Sequence, residues 1–304
     1  MFVNFISLLF MSLFSMIGVA FLTLMERKVL GFIQIRKGPN SVGVVGLFQP
    51  FSDAVKLYTK EFFFPVKSNF YPYWVSPILS LVISMLVWVV FPYFYVVISW
   101  SYSIMFMFCV LSMGVYGTMI SGWSSNSSYS ILGCLRVVAQ SISYEVSFFL
   151  LILTLIYFTG SMKVSFLMHS QDKVWLLFIV FPIFIMLVVS FLAELNRTPF
   201  DFSEGESELV SGFNVEYGGS GFAFIFLAEY LSIIFASGML ALMFFGGYTL
   251  TLMFYLKLGL LSFIIITIRG TLPRYRYDKL MGMCWKVYLS VALSMILFYT
   301  SVTL

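Results

Sequence analysis

The chain has 304 residues, 61% hydrophobic and only 10% charged, with a mean hydropathy of +1.00 and a net charge of +4. Soluble domains hold about 45–50% apolar residues, and no soluble core would enclose the run from Ser68 to Leu135, which contains no Asp, Glu, Lys or Arg. This excludes a soluble enzyme and makes nucleic acid an unexpected partner, leaving an integral membrane protein.

Apolar stretches of about 20 residues, enough to cross about 30 Å of hydrocarbon, lie near Met1–Met25, Tyr73–Pro92, Ser101–Ile120, Val137–Gly160, Val174–Leu195, Gly221–Phe245, Leu250–Ile268 and Cys284–Thr303. The first has no basic segment ahead of it and no small-residue cleavage site, so it reads as a retained helix rather than a signal peptide. None alternates as a barrel strand does, and helices are the other spanning solution. The expected fold is an all-α polytopic membrane protein with eight transmembrane helices, a single membrane domain over residues 1–304, and both termini on one side.

Lys and Arg in short loops set the orientation. Arg27, Lys28, Arg36, Lys37, Lys56, Lys60, Lys67, Arg136, Arg197, Arg269, Arg274, Arg276, Lys279 and Lys286 fall on one side, in loops near 26–72, 121–136, 196–220 and 269–283. Only Lys163, Lys173 and Lys257 fall on the other. The first set therefore belongs on the cytoplasm-like side, which is the matrix in a mitochondrion. Its first loop contains QPFSDAVKLYTKEF, with Phe51, Ala54, Val55, Tyr58 and Phe62 at helical spacing and Asp53, Lys56 and Lys60 off that stripe. With Pro50 suited to a first turn, this predicts a short amphipathic helix along the membrane surface; a helix that only anchors the loop is the plainer reading.

Cys109, Cys134 and Cys284 are far apart and His169 is the only histidine. Such a set offers no metal centre, so iron–sulfur clusters, haem and structural zinc within this chain are not expected. Any electrons must come from a partner.

The acids are unevenly placed. Glu194, Asp201, Glu204, Glu206, Glu208, Glu216 and Glu229 are seven of 13, all between Glu194 and Glu229. Glu145 lies about 13 Å along a helix from Arg136, and Glu229 lies about two turns into the sixth span. An ionised acid in a bilayer costs several kcal/mol unless it is paired, protonated or wetted. Such residues mark either a functional path or a carboxylate satisfied by a neighbouring Arg or Lys. Closely spaced acids titrate as a set, and such a set can pass protons along.

Four strings are specific: ERKVLGFIQIRKGPNSVGVVGLFQPFSDAVKLYTKE (Glu26 to Glu61), RVVAQSISYE (Arg136 to Glu145), AELNRTPFDFSEGESELVSGFNVEY (Ala193 to Tyr217) and RGTLPRYRYDKLM (Arg269 to Met281). In that order they resemble the subunit 1 family of NADH:ubiquinone oxidoreductase, respiratory complex I, over nearly the whole chain. The 36 Phe and 18 Met resemble a version encoded by an animal mitochondrial genome. Leu195 stands where the family usually has Thr, which changes no charged position.

The resemblance implies a membrane-arm subunit of the mitochondrial inner membrane, with basic loops in the matrix and termini toward the intermembrane space. Its partners would be quinone-site subunits of the hydrophilic arm and neighbouring membrane-arm subunits. NADH, FMN and Fe–S clusters would lie only in those partners; ubiquinone would be the substrate, and phospholipid would contact the chain. The resemblance assigns Arg27, Arg36, Asp53, Glu61, Arg269 and Arg274 to the quinone tunnel and its mouth. It assigns Glu145, Glu194, Glu216 and Glu229 to a membrane-embedded acidic path and Asp201, Glu204, Glu206 and Glu208 to the loop beside the quinone cavity, with Tyr144 and Tyr217 as hydroxyl neighbours. No metal site is implied. A stand-alone proton or cation transporter and a structural membrane anchor are the competing readings.

Overall fold

The computed structural model describes residues 2–93, 100–203, 205–210, 212–249 and 251–303, and among them every regular element is helical. In chain order these are α1 (Phe2–Ile33), α2 (Gln49–Thr59), α3 (Phe70–Val87), α4 (Ser103–Ser124), α5 (Ser128–Thr159), α6 (Val164–His169), α7 (Leu176–Ile179), α8 (Phe181–Glu194), α9 (Glu206–Leu209), α10 (Gly219–Phe244), α11 (Leu252–Thr271), α12 (Tyr277–Gly282) and α13 (Leu289–Thr303). A π-helical turn, Met283–Tyr288, joins α12 to α13.

Seven described stretches are long and apolar enough to cross a membrane: Asn4–Ile33, Phe70–Val90, Ser103–Ser124, Ser128–Thr159, Gly219–Phe244, Leu252–Thr271 and Tyr277–Val302. They overlap seven of the eight predicted spans. The remaining one, expected as a single stretch over Val174–Leu195, is divided. α7 covers four residues, the backbone departs from helix at Val180 (φ −121°, ψ 36°), and α8 runs for 14. Pro182, in the first turn of α8, lacks the N–H that would continue the ladder into α7, and its ring crowds the carbonyl four residues earlier. α8 alone is about 21 Å long, short of the roughly 30 Å of a hydrocarbon core.

Other helices outrun their predicted limits. α1 continues to Ile33 and takes Glu26 and Arg27 into the helix, while α5 begins at Ser128 and encloses Arg136. The loop expected near 121–136 shrinks to Ser125–Ser127. Its serines resemble a linker in sequence, but Ser124 and Ser130 donate to the carbonyls of Ser121 (3.1 Å) and Ser127 (3.0 Å). The local hydroxyl bonds remove the need for water there.

α2 begins with Pro50 in its first turn, where a missing N–H costs nothing. Its apolar side chains Phe51, Val55 and Tyr58 are exposed.

α10 is the central post, packed against α1, α2, α3 and α11. Of its 18-residue apolar window 72% is buried, against 17% for that of α1, so α1 faces outward while α10 meets protein on all sides. α5 packs against α4, α8 and α13. A close approach fixes the loop that precedes α10: a Cβ on Gly133 of α5 would lie 3.2 Å from Gly212 Cα, so glycine is what lets the turn Gly212–Asn214 sit on α5.

Candidate functional site

The site is built where the ends of α1 and α11 meet α10 and the segment after α8. Glu26, near the end of α1, is almost wholly buried, and Arg269, near the end of α11, pairs with it. Tyr230 of α10 lies beside Glu26, close enough for its hydroxyl to feel that carboxylate. The Arg197 guanidinium lies 4.8 Å over the Tyr230 ring and also reaches the Glu229 carboxylate at 3.5 Å. Four segments far apart in sequence thus share one row of charge: Arg269, Glu26, Tyr230, Arg197, Glu229. Alternation of sign along the row offsets the desolvation cost of each member.

Glu229 opens onto a cavity of about 150 Å³ between α3, α4, α5, α8 and α10. Glu194 and Asn196 line it too, on a mostly apolar wall set with Ser76, Ser80, Ser84, Thr118, Ser121, Ser141 and Ser232, most of whose hydroxyls also donate to their own helix. A cavity with room and several polar partners is one that water can occupy. Glu145, on α5, lies near enough to Glu194 for their charges to interact, and its Oε1 is buried without a protein partner.

Tyr217 joins the loop before α10 to the same cavity. Its ring stacks on Tyr73 at 4.3 Å and 5°, and its hydroxyl lies 2.9 Å from Ser76 Oγ and 3.2 Å from Ser124 Oγ. Tyr73 in turn donates to the Glu216 carbonyl at 2.6 Å. Burial raises the Tyr217 hydroxyl above the ordinary tyrosine range, and the hydrogen bonds from Ser124 and Ser76 only partly oppose it. It therefore stays protonated at neutral pH and can donate.

The other expected residues fall into smaller groups. Asp201 is buried, pairs with Arg274 at 3.2 Å and accepts from Ser203 at 3.3 Å. Glu208 pairs with Arg136 at the surface. Arg27 pairs with Asp53, which Gln49 also holds at 2.9 Å, so α2 is tied to α1. Arg36 is exposed and donates to Gln34 at 3.0 Å, and Glu61 is exposed; neither joins the buried row. Tyr144 is buried between Phe200 and Tyr288. Glu204 lies outside the described residues, as does the side chain of Glu206. Among the described residues no group of His, Cys, Asp and Glu is arranged for a metal. A second cavity, about 520 Å³ and almost wholly apolar, lies between α2, α3 and α10, lined by Tyr58, Phe62, Trp74, Pro77 and Phe224 among others.

Sequence reasoning passed over Glu26, Arg197 and Tyr230. Glu26 opens one of the diagnostic strings, and the resemblance gives it no role. The available signal was that a helix not ended by Gly or Pro continues past its apolar run, carrying the first charge inside.

The sequence profile of the family described as NADH dehydrogenase matches residues 6–300. The chain belongs to the subunit 1 family of NADH-ubiquinone oxidoreductase. Proteins called NADH-ubiquinone oxidoreductase chain 1 are similar to it throughout: that of Anopheles gambiae is 55% identical over 284 residues, covering 93% of this chain and 90% of the relative. The Aedes aegypti protein is 54% identical over 288 residues (94% and 92%), and that of Heterololigo bleekeri 46% over 288 (93% and 92%). Every residue of the buried row and both cavities falls inside the match to the subunit 1 family. Membership makes the chain a multi-pass membrane subunit of complex I, a component of electron transport.

Proposed function

We propose that this chain couples ubiquinone reduction to proton movement in complex I. The observation that carries the reading is the buried row Arg269, Glu26, Tyr230, Arg197 and Glu229, ending at a cavity that holds Glu194 beside Glu145. Charges so placed are costly in a membrane and mark function.

Reduction of a quinone takes up two electrons and two protons. Acids next to the quinone would change protonation with each cycle, and Asp201 with Arg274, Glu208 with Arg136 and the loop residues Glu204, Glu206 and Glu216 are the groups nearest in sequence to respond. The change of charge then biases Glu229, Glu194 and Glu145 in turn, with Tyr217 donating and Tyr144 as a hydroxyl neighbour. NADH, FMN and Fe–S clusters belong to partner subunits, which supply the electrons.

The quinone's long tail needs an apolar path, and the cavity between α2, α3 and α10 has that character. Arg27, Arg36, Asp53, Glu61, Arg269 and Arg274, which the family resemblance assigns to the tunnel and its mouth, would serve there, where guanidinium groups suit quinone oxygens or lipid phosphates. α2 lies along the membrane surface with Phe51, Val55 and Tyr58 in lipid. The α7–α8 pair makes the eighth crossing of one membrane domain in the mitochondrial inner membrane, with basic loops in the matrix and termini toward the intermembrane space.

Two measurements test the reading. On a native gel of gently solubilised membranes the chain should migrate with a very large NADH-active band; a separate small inactive band would return the chain to a stand-alone transporter. In the assembled complex, Glu229→Gln should lower protons moved per electron, and unchanged stoichiometry and turnover would sink the relay.

A further inference from the structure

Gln140 lies on α5 one turn before Tyr144 and is fully buried. Its Nε2 donates to two carbonyls, Ala193 O at 2.8 Å and Phe200 O at 3.1 Å. Those carbonyls bracket the segment 194–199, which carries Glu194 and Arg197. Inside it, the Phe200 N–H donates to Arg197 O at 2.8 Å and the Arg197 N–H to Leu192 O at 3.4 Å. Thr198 Oγ1 donates to Arg269 O at 3.3 Å, the Tyr275 N–H to Pro199 O at 2.9 Å, and Arg197 reaches Glu229, so the segment's other bonds run to α10, to α11 and to the loop after α11.

An amide suits this place. It presents two donors in one plane and, unlike Lys or Arg, brings no charge to a site beside Arg197 and two glutamates. Its remaining acceptor, Gln140 Oε1, is buried without a protein partner, and so is the Tyr144 hydroxyl on the same face of the helix. Buried polar atoms left open in this way are where internal water binds.

We propose that Gln140 is a positioning residue for coupling: its amide ties both ends of the segment 194–199 to α5. The inference rests on the coupling reading above. α5 also carries Glu145, so Gln140 sets the separation of Glu145 from Glu194. Through the same segment it sets the reach of Arg197 to Glu229. Displacement of a reacting group by about 1 Å can cost about 100-fold in rate, so loss of the clamp should be felt in turnover even where the fold survives.

The test uses the intact complex in its native membrane. Gln140→Leu keeps the volume and removes both donors. Expected are an assembled complex at near-normal level, unchanged NADH oxidation by an artificial acceptor, about tenfold slower ubiquinone reduction and fewer protons per electron. Combined with Glu194→Gln, the loss should be less than the product of the two single losses, because both act through one group. If Gln140→Leu lowers assembly, Gln140→Asn, whose amide stops one methylene short of the two carbonyls, is read per assembled complex in the same way. Normal turnover and stoichiometry per assembled complex in both variants would make Gln140 a packing residue and overturn the inference. Failure of Glu229→Gln to affect coupling would instead remove the reading beneath it, so the two failures are separable.

Discussion

The middle and the far end of α10 are held by different chemistry. Near its middle, Glu229 and Tyr230 sit in a largely buried row with Arg197, Glu26 and Arg269. At its far end the backbone is held by a buried amide and a lysine. Gln171 Nε2 lies 2.9 Å from the carbonyls of Leu167, Leu242 and Met243, its Oε1 accepts from Gly246 N–H at 2.7 Å, and Lys257 donates to the carbonyls of Phe245 and Gly246 at 2.7 Å while lying over Trp175. The far end is finished by one neutral amide and a single lysine, with no carboxylate among these bonds. A neutral amide there satisfies the orphan carbonyls that any helix end leaves. Glu229 and Tyr230, in mid-helix, have no helix end to finish, and buried pairs contribute little net stability.

This contrast breaks first at Glu26. Glu26→Ala strands Arg269 in a mostly buried place, a loss of about 3–5 kcal/mol; the assembled complex should fall sharply on native gels, and normal levels would mean that the pair is not buried in the complex. At the far end, Gln171→Ala leaves several backbone groups unsatisfied, at about 1–3 kcal/mol. Heat inactivation should come sooner while protons per electron stay unchanged. A change in stoichiometry there would erase the distinction between the two regions.

Tyr217→Phe removes the hydrogen bonds to Ser76 and Ser124, worth about 1 kcal/mol, and should also remove an alkaline sensitivity. The folded hydroxyl holds its proton more tightly than the unfolded one, so its contribution is complete below about pH 10 and fades as pH rises further. Inactivation rates from pH 8 to 11 for the two proteins would check this. Smallest is Tyr248→Phe, which deletes the 2.5 Å hydrogen bond to Asp172 on the exposed far surface. Unchanged heat inactivation is expected there, and a clear loss would show that the far end also depends on charge.

Much of the fold was legible before any coordinates. Hydrophobic length is a local property, so α1, α3, α4, α5, α10, α11 and the run through α13 were visible as apolar stretches. The break at Val180 was less visible, because one Pro near the middle of an apolar run is compatible with a kink or with a new helix, and packing selects between them. For the site, the acids were legible as a cluster, but their pairings were not. Glu208 and Arg136 are 72 residues apart, and Arg269 and Glu26 are 243 apart. Arg36 and Glu61 belong to the same diagnostic string as Arg27 and Asp53, yet they take no part in the Arg27–Asp53 pair, since neighbours in a loop need not share a partner.

The sequence alone determined that this is a membrane-embedded helical chain of the complex I subunit 1 family, because span length, charge asymmetry and long residue strings can be read without knowing what packs on what. Tertiary structure decided which charge faces which. Placing Glu26, Arg197, Tyr230 and Arg269 together requires α1, α10, α11 and the 194–199 segment to converge. Whether a buried carboxylate is paired or open to a cavity follows from that convergence, since the energy of a charge depends on its neighbours and its dielectric rather than on its place in the chain.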